Sequence, residues 1–173
     1  MHKSAIVIDR GVIQGKGLVT TEFIRKGEIV SDFVPGQPSY LLSEVLSMPP
    51  EKYEFLRHYC YQSSIDTITH EQGLEQYMNH SCDPNTMWIC DETMVASRDI
   101  LPGEELTYDY STSEVTFPLM IECHCDSVNC RKIVTHLDYR IPAWQAKYGN
   151  MLPKHTIKII AEWNASVGMK NGS

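Results

Sequence analysis

The 173-residue chain is predicted to be mostly β with short helices. Three observations lead there. Apolar and β-branched runs at Ile6-Val7-Ile8, at 18–20 and at 28–34 (Ile29, Val30, Phe33) are too brief for helices. Turn-forming pairs such as Lys26-Gly27 and Pro102-Gly103 close such runs. Helical signals are confined to 49–59, which opens on two prolines, and to 143–148 and 155–164, the last with Ile157, Ile160 and Ala161 on one face.

Taken in order, Ile6 to Ile8 form a first strand, Gly11 to Leu18 a loop carrying Gly15-Lys16-Gly17, and 18–20 a second strand. Glycines there let backbone approach a ligand, although a lone Gly-Lys-Gly is a weak signal and is ordinarily a hairpin turn. Residues 28–34 form a strand, 35–47 a turn-rich connection, and 49–59 a helix whose aromatics belong to the core. Strands follow at 86–90, 94–97 and 105–110, the last launched by the Pro102-Gly103 turn.

Length and a hydrophobic content of 42% provide one domain with a real core. The apolar run before Asp9 is too short for a secretory signal, and no stretch approaches the roughly 18 apolar residues of a membrane span, so a soluble intracellular protein is expected. The net charge of -7 argues against a phosphate-backbone binder and suits a basic protein partner, though mild acidity also serves solubility. Six cysteines in such a chain read as metal ligands or buried thiols before disulfides. Cys60 and Cys90 stand apart and are assigned as buried thiols.

The densest chemistry lies at Tyr77-Met78-Asn79-His80-Ser81-Cys82-Asp83-Pro84-Asn85. Its polar side chains compete with regular backbone pairing, and Pro84 steers Asp83 away from helix, so an irregular loop is expected. Glu104-Glu105-Leu106-Thr107-Tyr108-Asp109-Tyr110 follows, then Cys123-His124-Cys125-Asp126-Ser127-Val128-Asn129-Cys130. The Cys-x-Cys-x4-Cys spacing brings three thiolates to one ion and leaves a tetrahedral site one ligand short. A Tyr-x-Tyr pair alone reads as ordinary strand packing.

Together the three motifs resemble the SET-domain protein-lysine methyltransferases with a zinc-binding post-SET segment, over about residues 5–133. The resemblance implies small β-sheets around a knot-like core plus C-terminal helices. It divides the chain into a SET domain over 1–117 with an insert at about 40–62, a post-SET zinc segment over 118–135 and a helical extension over 136–173. Residues Ile65-Asp66 match the strand before the asparagine-histidine loop. Gly15, Lys16, Gly17, Asn79 and His80 are implied to bind the methyl donor S-adenosylmethionine, Tyr110 to be catalytic, and Asp109 to support the loop. Tyr108 is implied to favour mono- and dimethylation. Where many relatives carry arginine this chain has Gln76, and Arg131-Lys132 replaces a common Arg-Gly.

The family also takes a fourth zinc thiolate from the asparagine-histidine loop, which makes Cys82 the partner of Cys123, Cys125 and Cys130; His124 and His80 are the other donors at hand. Four sulfurs leave no open position, so that zinc is structural. The implied substrate is a lysine of a basic protein, a histone tail first, with no direct nucleic-acid binding and no membrane. The location is then the nucleus if the protein is eukaryotic and acts on histones, otherwise the cytoplasm. The rival reading is a catalytically silent, zinc-clamped protein-binding module.

Overall fold

The computed structural model describes residues 3–9, 13, 15–32 and 34–170; the opening of the first loop at Gly11 and the strand position Phe33 lie outside them. Strand β1 (Ala5–Ile8) pairs antiparallel with β2 (Gly17–Thr20), Ala5 opposite Thr20. After Gly27, whose φ of 84° suits only glycine without strain, β3 (Ile29–Asp32) enters a second sheet. Residues 35–47 hold more than turns: β4 (Ser39–Leu41) runs directly into helix α1 (Leu42–Val45). Their alternation is too short to stand out from the flanking proline and glycine.

Helix α2 (Pro50–Tyr59) starts on proline, whose missing donor costs nothing at that position, and ends with Arg57 and His58 at its negative pole. Its aromatics divide. Tyr53 meets Phe117 edge-on at 6.0 Å, in a cluster with Val45, Leu56 and Ile68. Phe55, expected in the core, is 48% exposed and packs on Tyr59 and His70 instead. Strand β5 (Cys60–Gln62) follows, and β6 (Thr67–His70) lies between β4 and β5. Ile65-Asp66 is the bend before β6 rather than the strand itself, because Asp66 binds the Ser64 and Thr67 hydroxyls.

A 3-10 turn at Leu74–Tyr77 delivers the chain to β7 (Asn79–His80). Strands β8 (Thr86–Trp88) and β9 (Thr93–Ala96) join β3 in the order β3-β9-β8. The turn from Leu101 to Glu104 has Pro102 and then Gly103 at φ 90°, and closes through a 3.1 Å bond from Glu104 N–H to the Leu101 carbonyl. It aims β10 (Thr107–Tyr108) parallel to β7, Thr107 opposite Asn79 and Tyr108 opposite His80. Asn85 braces this crossing: its amide donates to the Glu105 carbonyl and accepts from the Thr107 N–H, both at 2.9 Å, as a neighbouring strand would. Leu18, Ile24, Ile100 and Leu106 are fully buried around it.

Two cysteine-flanking strands, β11 (Met120–Glu122) and β12 (Ile133–Thr135), pair as a hairpin that sequence periodicity does not show. Lys132 enters β12 with φ of 64°, in the left-handed region that glycine occupies without strain. Helices α3 (Pro142–Tyr148) and α4 (Lys154–Lys170) close the chain. The packed face of α4 carries His155, Thr156, Ile159, Ile160 and Trp163, leaving Ile157 and Ala161 exposed, so the expected face is rotated. Buried polar contacts of His155 and Thr156, rather than hydrophobicity alone, set that rotation. The mixture of small sheets and short helices is the fold class expected from sequence. Among the described residues no helix is long and apolar enough to cross a membrane.

Candidate active site

The parallel β7–β10 contact brings the asparagine-histidine loop and the tyrosines together. Gly15, Lys16, Asn79, Tyr108 and Tyr110 line one cavity of about 540 Å³. Gly15 has φ of 55° and Lys16 places its ammonium 5.4 Å from the Tyr77 ring centre. Asn79 Nδ2 donates to the Lys16 carbonyl at 2.9 Å and to Glu105 Oε1 at 2.6 Å, tying the glycine loop to β7. Gly17 begins β2 and does not line the cavity. Gln76 lines it, but its amide folds back onto the Gly73 carbonyl at 2.9 Å.

Tyr108 and Tyr110 stack obliquely with ring centres 4.8 Å apart. The Tyr110 hydroxyl donates to the Met78 carbonyl at 2.9 Å, which leaves its oxygen lone pairs as acceptors. Burial pushes the pKa of both phenols well above the ordinary value, with Glu114 adding to it, so both stay neutral.

His80 is turned to another task. The Tyr110 N–H donates to His80 Nδ1 at 3.1 Å, which fixes the proton on Nε2, 3.4 Å from Cys82 Sγ. Burial pushes this imidazole down to about 4, although Asp109 pulls the other way, so the ring is neutral. Both ring nitrogens are thus engaged within the protein, and only the backbone of His80 is left to meet a ligand.

The sulfurs of Cys82, Cys123, Cys125 and Cys130 all lie within 4.8 Å of one another. Cys82 and Cys123 are 3.7 Å apart, close to the edge of about 3.8 Å that a tetrahedron with metal–sulfur bonds of about 2.3 Å requires. Four soft donors at that spacing fit zinc. Backbone N–H groups of Cys82 and Arg131 point at Cys125 Sγ (3.4 Å) and Cys82 Sγ (3.3 Å), as thiolates need. His124 is outside the cluster, its side chain 63% exposed beside Glu122. Of the other cysteines, both assigned as buried, Cys90 is exposed on the bend after β8 and Cys60 is half-buried at the cavity wall.

Asp109 was legible only as loop support, and its partners come from far along the chain. It accepts two bonds from the Arg131 guanidinium (2.7 and 2.8 Å), one from Trp144 Nε1 (3.1 Å) and one from the Tyr148 hydroxyl (2.8 Å). Burial opposes its charge, and Arg131 more than offsets this, holding the carboxyl below its usual range. Lys147 donates to the Cys82 carbonyl at 2.6 Å, and His155 and Thr156 bond the Ser113 and Thr112 carbonyls at 2.8 and 2.7 Å. The C-terminal helices therefore hold the segment following Tyr110. Sequence offers no signal for these pairings, nor for buried Glu114. Asp109→Ala is expected to cost about 3–5 kcal/mol in denaturant unfolding, because Arg131 loses its two-pronged partner and keeps only Asp138, 3.1 Å from Nε, while buried Trp144 and Tyr148 lose their acceptor; a loss below about 1 kcal/mol, the scale of a surface pair, would contradict this.

A SET domain profile matches residues 15–111, more than half of the chain, and the chain belongs to the SET-domain family. Histone-lysine N-methyltransferase ASHH3 of Arabidopsis thaliana is 34% identical over 128 residues, 68% of this chain and 35% of the relative. Histone-lysine N-methyltransferase trithorax of Drosophila virilis is 32% identical over 151 residues, 76% of this chain and 4% of the relative. The chain thus spans about a third, or much less, of these relatives. The methyltransferase domain of human SETMAR shares the fold with a TM-score of 0.57 at 24% identity, over 78% of this chain and 58% of that one. KRYPTONITE, crystallised with DNA, an H3 peptide and SAH, superposes with a TM-score of 0.57 at 18% identity, over 78% of this chain and 30% of that one.

Proposed function

We propose that the chain is a protein-lysine N-methyltransferase that uses S-adenosylmethionine and acts on a basic protein segment, a histone tail in the first place. The observation that carries this is the shared cavity of Gly15, Lys16, Asn79, Tyr108 and Tyr110. Relatives named as histone-lysine methyltransferases, and a structural neighbour solved with SAH and an H3 peptide, support donor and substrate. The same reading puts the protein in the nucleus if it is eukaryotic and acts on histones, otherwise in the cytoplasm, and gives the four cysteines a structural zinc. Residues 1–117 are then the catalytic domain, 118–135 the zinc segment and 136–173 a brace.

S-adenosylmethionine supplies a methyl group already activated by a cationic sulfur, so little acid–base power is required of the protein. Gly15, Lys16, Asn79 and the His80 backbone would hold it; the His80 ring and Gly17 are assigned supporting places. Tyr110, neutral and with its O–H donating to the Met78 carbonyl, accepts an N–H from the substrate amine and so orients the nitrogen lone pair. Incubation with radiolabelled S-adenosylmethionine, core histones and whole-cell lysate tests the assignment. Label on a lysine is expected, and its absence from every protein would leave the silent binding module.

Tyr108 sets how many methyl groups fit. It meets Trp88 edge-on at 6.3 Å, and its hydroxyl can hold a water in the volume that further methyl groups need. The enzyme is expected to make mainly mono- and dimethyl-lysine, and Tyr108→Phe to shift the products upward. Mass spectrometry of a methylated peptide over a long time course reads this; abundant trimethyl-lysine from the unmodified protein would refute it.

A further inference from the structure

A lysine reaches the cavity as an ammonium, with a pKa of about 10.4 in water, and its nitrogen cannot attack until one proton has left. Glu114, four residues beyond Tyr110, lines the same cavity and is 5% exposed. Its Oε1 accepts from the Gln62 N–H at 2.9 Å and the Ser113 hydroxyl at 3.4 Å, whereas its buried Oε2 has no hydrogen-bond partner among the described residues. Buried carboxylate oxygens are normally satisfied, so an unmatched one in a cavity wall marks a place for a donor.

We propose that Glu114 receives the ε-ammonium of the substrate lysine through Oε2 and takes its proton. The inference rests on the lysine-methyltransferase reading. In the step, an N–H bond breaks with its electron pair staying on nitrogen and an O–H bond forms on the carboxylate, leaving a neutral amine beside a neutral acid.

The surroundings suit such an acceptor. Cys60 and Tyr61 from β5, Tyr108 from β10 and Tyr110 from the turn after it are the ionisable groups its charge reaches. His155 of α4 bonds the adjacent Ser113 carbonyl. Among the described residues no lysine or arginine offsets its burial, which pushes the carboxyl up to about 8. Glu114 is therefore largely neutral below that pH and charged above it, and its affinity for a cation must rise through this range. A purely structural acid would keep both oxygens occupied and show no such ligand.

Binding of n-butylamine and n-butanol, the end of a lysine side chain with and without its charge, is measured by NMR titration of the full chain. At about pH 9 the amine is expected to bind at least about tenfold more tightly than the alcohol, and at about pH 6.5 within about twofold. Glu114→Gln is expected to abolish the preference at the higher pH and to slow turnover of core histones about 100-fold, with the Kd for S-adenosylmethionine unchanged. A wild-type preference equal at both pH values overturns the proposal even if the variant fails to fold. An active wild type matched by Glu114→Gln in rate overturns it alone, whereas a wild type silent toward histones and lysate overturns the methyltransferase reading and the proposal together.

Discussion

Cys125→Ser is expected to lose its zinc and to drop methyl transfer by more than about 100-fold. A structural zinc site contributes on the order of 10–16 kcal/mol of apparent binding energy to folding, far more than a single hydrogen bond. Between Met120 and Thr135 the other anchors are the Arg131 pairing with Asp109 and two buried apolar side chains, Val134 and Cys123, packed with Leu119 and Cys82. Losing one of four thiolates weakens the hold on β11 and β12. It also frees Cys82, whose sulfur faces the Nε2–H of the ring that fixes the Tyr110 N–H. Damage at the metal thus reaches the tyrosine through one imidazole. Metal analysis and histone turnover of the purified variant measure both losses; full zinc occupancy with normal turnover would remove the cluster from the mechanism.

Tyr110→Phe is expected to lower kcat by about 10² while the Kd for S-adenosylmethionine stays within about twofold. Misplacing a reacting group by about 1 Å costs about 10²-fold, and the hydroxyl is the group that orients the amine. Stability should fall by only about 1 kcal/mol, the net worth of its bond to the Met78 carbonyl. Turnover equal to that of the unmodified protein would exclude Tyr110 from the chemistry. A large fall in cofactor affinity would make it a binding group instead.

What the sequence discloses follows from the range of the interactions involved. The cysteine spacing, the Pro102-Gly103 turn and the proline-led helix α2 are local devices, readable within a few residues. Cys123, Cys125 and Cys130 were legible from their spacing and Cys82 only from the family resemblance, and the four sulfurs do lie together. The partners of Asp109 were not legible. Arg131, Trp144 and Tyr148 meet it across 22, 35 and 39 residues, and no periodicity encodes that. The role of the His80 ring escaped for the same reason, since its neighbours were fixed only when β7 met β10. The rotated face of α4 has another cause: a buried histidine and threonine compete with the isoleucines for the inside.

The crossing of β7 and β10 also has a consequence for how the protein is made. Cys82 waits for Cys123, 41 residues later, and for Lys147, 65 residues later, while Ser113 waits for His155. At about 5–20 residues per second on the ribosome, the first strands stand complete for seconds before Thr156 has been synthesised. During that interval the segment after Tyr110 lacks its brace, and the metal-binding thiols are open to oxidation and to wrong pairing. Non-local closure of this kind is slow, so newly made chains mature late and together with metal supply. If the four cysteines hold zinc as proposed, a cell short of it would accumulate unfinished chains.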